Sequence, residues 1–158
     1  DFYINKNFIN EYMNKNLNNP NNPNNPNKDY LSNIIFVKSC DISKYLSYLE
    51  HSYLSLDTYP FGGCNTSLEA FSYGKIVVTC PAKFLSGRFT YGFYKKMGIM
   101  DHIVDTKEEY IQLVDAYIKN EELKMSCEEE IKKNKHKLFE EEKSVEEWEL
   151  VLKYINDT

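Results

Sequence analysis

Asp57-Thr58-Tyr59-Pro60-Phe61-Gly62-Gly63-Cys64-Asn65-Thr66-Ser67-Leu68-Glu69 is the stretch that decides the fold. It continues the apolar run that starts at Leu54, breaks at two adjacent glycines, and resumes in residues that suit a helix from Asn65 to about Tyr73. The order is strand, glycine turn, helix. A glycine has no Cβ, so its backbone can lie close to a ligand. The first amides of a helix have no acceptor within the helix, and the positive end of the helix dipole stands behind them. Asn65, Thr66 and Ser67 add side-chain donors at that place, and together with Gly62, Gly63 and Cys64 they form a site suited to a diphosphate. In an open parallel sheet, ligands bind beyond the carboxyl ends of the strands, where this turn falls. Glu69 lies one helical turn past Asn65, and a carboxylate there can accept two ribose hydroxyls. Spacing alone leaves a plainer alternative open: an ordinary glycine turn, an N-cap at Asn65 and a solvated Glu69.

Outward from this centre the chain alternates. Towards the N-terminus, Asp41 is placed to cap a helix running to about Glu50, and Ile34-Ile35-Phe36-Val37 reads as a strand buried on both faces. Towards the C-terminus, Gly74 suits a left-handed helix end. A strand is expected at Ile76-Val77-Val78-Thr79, stopped by Pro81, then a helix over 88–97 and a short edge strand at Ile103-Val104. Helices are predicted over 107–120, 121–137 and 144–155. Strands alternating with helices over short links predict an α/β fold, a Rossmann-like parallel sheet flanked by helices with right-handed crossovers. Three or four strands are too few for a complete doubly wound domain, so further strands are expected upstream. Residues 1–32 stand apart: an amphipathic helix over 1–16, then Asn-Asn-Pro three times from Asn18 to Pro26, which suits a flexible insertion. The domain is assigned to residues 33–158.

Composition narrows the function classes. The chain has 158 residues, 42% of them hydrophobic and 15% aromatic. Such a composition is globular rather than disordered. A formal net charge of -5 argues against a nucleic-acid partner, since phosphate backbones need a basic face. No apolar run approaches the length of a membrane span. The four cysteines, Cys40, Cys64, Cys80 and Cys127, contain no CxxC pair, and their spacing suits neither zinc nor a compact disulfide framework. Reduced thiols in a cytoplasmic compartment, or a nuclear one, are the expectation. The chain does not begin with Met, which suggests a piece of a longer protein.

The Asp57–Glu69 stretch resembles the donor-binding motif of the O-GlcNAc-transferase and SPINDLY-like glycosyltransferases: Asp-Thr, a few residues, Gly-His-Thr-Thr, then a carboxylate three residues on. The similarity continues through Glu69–Pro81, Ser86-Gly87-Arg88 and Met97-Gly98-Ile99, and spans about residues 33–155. The resemblance implies a GT-B architecture, with this chain as the C-terminal, nucleotide-binding half. It implies a UDP- or GDP-linked sugar as donor substrate, no metal or other cofactor, a protein acceptor, and an N-terminal domain of the same protein across the cleft. Thr66 matches the second Thr of the motif, which contacts the diphosphate, and Glu69 the acidic residue that holds the ribose. Cys64 stands where the family has His, and Asn65 where it has the first Thr. Tyr45 and Tyr48 occupy places where the family carries basic or His residues near the base. The strand with the Gln and Lys that grip the diphosphate would precede residue 1, so residues 1–158 alone are expected to be inactive. No catalytic residue is assigned.

Other residues carry weaker signals. Arg88 could reach the sugar or diphosphate, or pair with a surface carboxylate. Phe89, Tyr91, Phe93 and Tyr94 suit a core cluster better than a sugar pocket. His51, His102 and His136 show no ligand spacing. Lys132, Lys133, Lys135 and Lys137 look like a solvated helix face. Trp148, Val151, Leu152 and Ile155 form one stripe of the last helix. Two functions stand: a donor-binding glycosyltransferase domain, or a non-catalytic nucleotide-sugar-binding or scaffold module that has lost turnover, which the departures at Cys64, Tyr45 and Tyr48 motivate.

Overall fold

The computed structural model describes residue 35, residues 37–139 and residues 141–157. The expected N-terminal helix and Asn/Pro insertion lie outside the described residues. Of the expected strand at 34–37, only Ile35 and Val37 are described, and both are exposed and outside any strand. The chain divides into two units, Asp1–Cys40 and Asp41–Thr158. The second unit carries the strands, the glycine turn and the helices that succeed it.

Asp41 caps α1 (Ile42–His51), its carboxylate accepting from the Lys44 amide at 2.9 Å, as a short acidic side chain does at a helix start. β1 (Ser55–Leu56) leads into the glycine turn and α2 (Asn65–Ser72). Gly74 then takes a φ of 71°, which only glycine adopts without strain. The amides of Gly74 and Lys75 close on the carbonyls of Phe71 and Ala70. β2 (Val77–Val78) runs parallel to β1, with Ser55 opposite Val77 and Leu56 opposite Val78. A short 3-10 turn (Leu85–Gly87) precedes α3 (Phe89–Met97). Four helices complete the order: α4 (Lys107–Lys119), α5 (Glu121–Asn134), α6 (His136–Phe139) and α7 (Glu142–Asn156). α4 opens on a capping box between Thr106 and Glu109, which satisfies two orphan amides reciprocally.

The sheet is smaller than the Rossmann-like sheet expected from the sequence. Among the described residues it has two parallel strands, extended on the far edge of β2 by a single parallel bridge between Thr79 and Ile103. The cause is visible at Val77. Successive amides of a strand alternate between its two neighbours. The Val77 amide points to the same edge as Thr79, yet it donates to the hydroxyl of Tyr94 at 2.9 Å. A side chain from α3 takes the donor that a longer third strand would use. The unit is therefore mostly helical around a thin parallel core.

That core is Ala70, Phe71, Ile76, Val77, Val78, Tyr94, Met97, Ile99, Tyr117 and Ile131. Phe71 meets Tyr94 edge-on at 4.8 Å and Phe93 at 6.4 Å. Edge-to-face contact of this kind is core packing, so Phe93 and Tyr94 of α3 are packing residues as expected. The helix expected over 121–137 ends at Asn134. The lysines beyond it are not merely solvated. Lys135 donates to the carbonyl of Ser72 at the end of α2, and Lys137 to that of Met97 at the end of α3, at 2.9 Å. Cations there satisfy orphan carbonyls and complement the helix dipole. Lys124 is buried, 4.4 Å above the Tyr53 ring, and pairs with Glu128. The apolar positions of α7 are exposed, Trp148 at 66%. No helix among the described residues is long and apolar enough to cross a membrane.

Candidate functional site

β1 ends at Leu56, and Asp57 stands at its carboxyl end, where it organises the turn. Its Oδ1 accepts from the Gly63 amide at 2.6 Å and its Oδ2 from the Thr79 hydroxyl at 2.7 Å. Its carbonyl accepts from the Tyr110 hydroxyl at 3.0 Å, and its amide donates to the Val78 carbonyl at 3.0 Å. One residue thus fastens the glycine turn to β2 and α4. The Gly62 amide is bonded to the Ser86 carbonyl at 2.9 Å. A Cβ on Gly63 would lie 2.5 Å from Ser67 Oγ and 2.7 Å from Thr66 Oγ1, so the close approach that demands glycine here is made by the protein's own hydroxyls.

α2 begins at Asn65, with Cys64 in the N-cap position and no side chain capping the helix. Asn65 is therefore the first helical residue rather than the cap. Asn65 and Thr66 are exposed. Ser67, expected beside them as a ligand donor, is buried and shares a hydrogen bond with Thr90 Oγ1 at 2.8 Å. A cavity of about 260 Å³ runs from this turn along β1, bounded by Leu49, Leu56, Asp57, Thr58, Gly63 and Thr66 among others.

Glu69 lies half-buried on α2, and Tyr45 of α1 donates its hydroxyl to Glu69 Oε2 at 2.8 Å. Burial first, and then the carboxylate, push the Tyr45 phenol up to about 12. Tyr48, the other tyrosine of that helix, is exposed. A second hollow, of about 300 Å³, opens beside Glu69 between Asn65, Leu68, Ser72 and Phe139. Among the described residues Arg88 forms no ion pair with a carboxylate. It donates to the Ala82 carbonyl at 3.0 Å and stacks over the Tyr91 ring at 4.8 Å. Cation–π contact and hydrogen bond together hold the loop before α3.

Sequence reasoning thus named the turn, Asn65, Thr66, Glu69 and Tyr45, and the structure brings these to one end of the parallel strands. It missed Asp57 as the hub. The signal was there: a carboxylate at the end of a strand, six residues before the glycine whose amide it accepts.

His51 is exposed at the end of α1, its Nδ1 2.8 Å from the Ser47 carbonyl. His102 is wholly buried, between the rings of Tyr94 and Tyr117, with Nδ1 2.6 Å from the Tyr117 hydroxyl and no partner for Nε2. The four cysteines are free and partly buried. Among the described residues, no group of three or more His, Cys, Asp or Glu side chains is placed to hold a metal ion.

Two parallel strands among packed helices, with a glycine turn and a helix N-terminus following β1, place the chain in the mixed α/β class of folds. Within that class, the chain is similar in fold to O-GlcNAc transferase from Thermobaculum terrenum, solved as a Lys-to-Met mutant, with a TM-score of 0.64 and 24% identity. The match covers 75% of this chain and 23% of that protein, so this chain spans about a quarter of its neighbour's length. No family model matches the chain, and no curated protein matches it in sequence.

Proposed function

We propose that this chain is the donor-binding part of a glycosyltransferase, the C-terminal half of a GT-B enzyme of the O-GlcNAc-transferase type. In that reading it binds a UDP- or GDP-linked sugar. The observation that carries the reading is the exposed pair Asn65 and Thr66, set at the N-terminus of α2 just past the end of β1 and four and three residues before a half-buried carboxylate, Glu69. The likeness in fold to an O-GlcNAc transferase supports it. The diphosphate would take the amides and side chains of Asn65 and Thr66, with the helix dipole behind them. As the glycosidic bond breaks, negative charge grows on the departing nucleoside diphosphate, and donors held in place by the fold stabilise it without reorganising. The sugar would pass to a protein hydroxyl presented by the N-terminal domain of the same protein.

The non-catalytic alternative draws on a specific observation. The Gly63 amide and the Ser67 hydroxyl, two donors expected to face the ligand, are turned inward to Asp57 and Thr90. A site with fewer free donors stabilises a departing diphosphate less, which favours binding without turnover.

Titration calorimetry of the full-length protein with UDP, GDP and their sugars tests binding. Hydrogen exchange then locates it: the amides of Asn65, Thr66 and Ser67 are expected to slow at saturating nucleotide, while Gly63, already bonded to Asp57, changes little. Unchanged exchange over 64–67 with nucleotide bound would remove the phosphate site from α2. Sugar transfer to a protein acceptor, or its absence despite tight binding, separates the enzyme from the scaffold.

A further inference from the structure

The bond between Tyr45 and Glu69 joins α1 to α2 across residues that are 24 apart in sequence. A phenol carries one proton and two lone pairs, and a carboxylate is acceptor only. Tyr45 gives its proton to Glu69 Oε2, which leaves the phenol oxygen free to accept but not to donate. Glu69 keeps Oε1, which has no hydrogen-bond partner among the described residues. Since the phenol stays protonated up to about 12, this division holds over the whole physiological range.

We propose that Tyr45 and Glu69 together form a two-acceptor fork, the Tyr45 oxygen and Glu69 Oε1, that reads a vicinal diol with one hydroxyl donating to each. The inference rests on the donor-site reading above and refines it, because a lone carboxylate would take both hydroxyls itself. It makes Tyr45 a specificity-determining residue. A hollow opens on the Glu69 side of this pair, bounded by Asn65, Leu68, Ser72 and Phe139.

The fork has a chemical signature, because its prongs are unequal. A hydroxyl donating to a carboxylate makes a charge-assisted bond, roughly twice as strong as a bond to a neutral phenol. Removing the two hydroxyls of a bound ribose should therefore carry unequal penalties.

The experiment uses the full-length protein and calorimetry with the tighter of UDP and GDP, alongside its 2′-deoxy and 3′-deoxy forms. In the wild type, one deoxy form is expected to bind about tenfold or more weakly, and the other only about threefold. In Tyr45→Phe the carboxylate is released to take both hydroxyls, so the two penalties should converge. Glu69→Gln should lose the larger penalty and keep the smaller. Melting curves of both variants show whether the fold is kept. Equal penalties in the wild type, or an asymmetry that survives in Tyr45→Phe, overturn the fork while leaving the donor site in place. Failure of the wild type to bind either ribonucleotide overturns the donor-site reading and the fork with it.

Discussion

His102 shows what a single buried residue imposes on the whole fold. Its imidazole is enclosed by Tyr94 and Tyr117, with Asp101 the charged group beside it. Burial disfavours the cation and lowers its pKa to about 4, although Asp101 pulls the other way. In the unfolded chain the same ring takes a proton near its ordinary value of 6.5. Between these two values the unfolded state binds more protons, so stability falls as the pH is lowered, and the full loss is present below about 4. The interval corresponds to roughly 3 kcal/mol. Urea unfolding at pH 7, 6, 5 and 4 should show that decline, and His102→Gln should flatten its portion of the slope whatever it does to stability at pH 7. A slope unchanged by the substitution would mean that carboxylates alone set the acid limit. Nothing in the spacing of the three histidines marked His102 for this role. Its burial depends on partners from α3 and α4, which local sequence does not reveal. The same holds for the site. The turn and Glu69 were legible because glycines, a helix start and a carboxylate lie within one short stretch. Tyr45 on Glu69 and Thr90 on Ser67 were not, since those pairs are 24 and 23 residues apart.

Among the elements, helix ends were easier to foresee than strand lengths. Asp41 and Gly74 act at single positions through their own chemistry, and each sits where that chemistry predicts. The break between α5 and α6 was hidden because no Gly or Pro marks it; charged residues run straight through Lys135. The strands were overestimated because apolar runs report burial and not pairing, and Tyr94 takes a pairing position from the sheet. The lysines past α5 matter for a related reason. Lys137 ties the end of α3 to α6, on which it lies. Replacing it by Ala should cost about 0.5–1 kcal/mol, the usual worth of a cation at a helix C-terminus. That cost should shrink in molar salt, which screens the interaction. Denaturation at low and high salt measures both. A salt-independent loss would assign the effect to packing of the lysine stem instead.

At the scale of the molecule, the exposed apolar residues of α7 have an optical consequence. Trp148 is the only tryptophan of the 158 residues, and it stands two-thirds exposed on the last helix. Excitation at the red edge of indole absorption therefore interrogates α7 and nothing else in the chain. Its emission should sit at the long-wavelength limit of a water-exposed indole and quench readily with iodide or acrylamide. Occupation of the hollow beside Glu69 by UDP or GDP should leave it unmoved, since α7 supplies no residue to that hollow. Any surface that covers the apolar face of α7 should shift the emission to the blue and shield it from quencher. A nucleotide-induced shift in the isolated chain would show that the last helix responds to that site. One native fluorophore thus separates ligand binding from docking without a label.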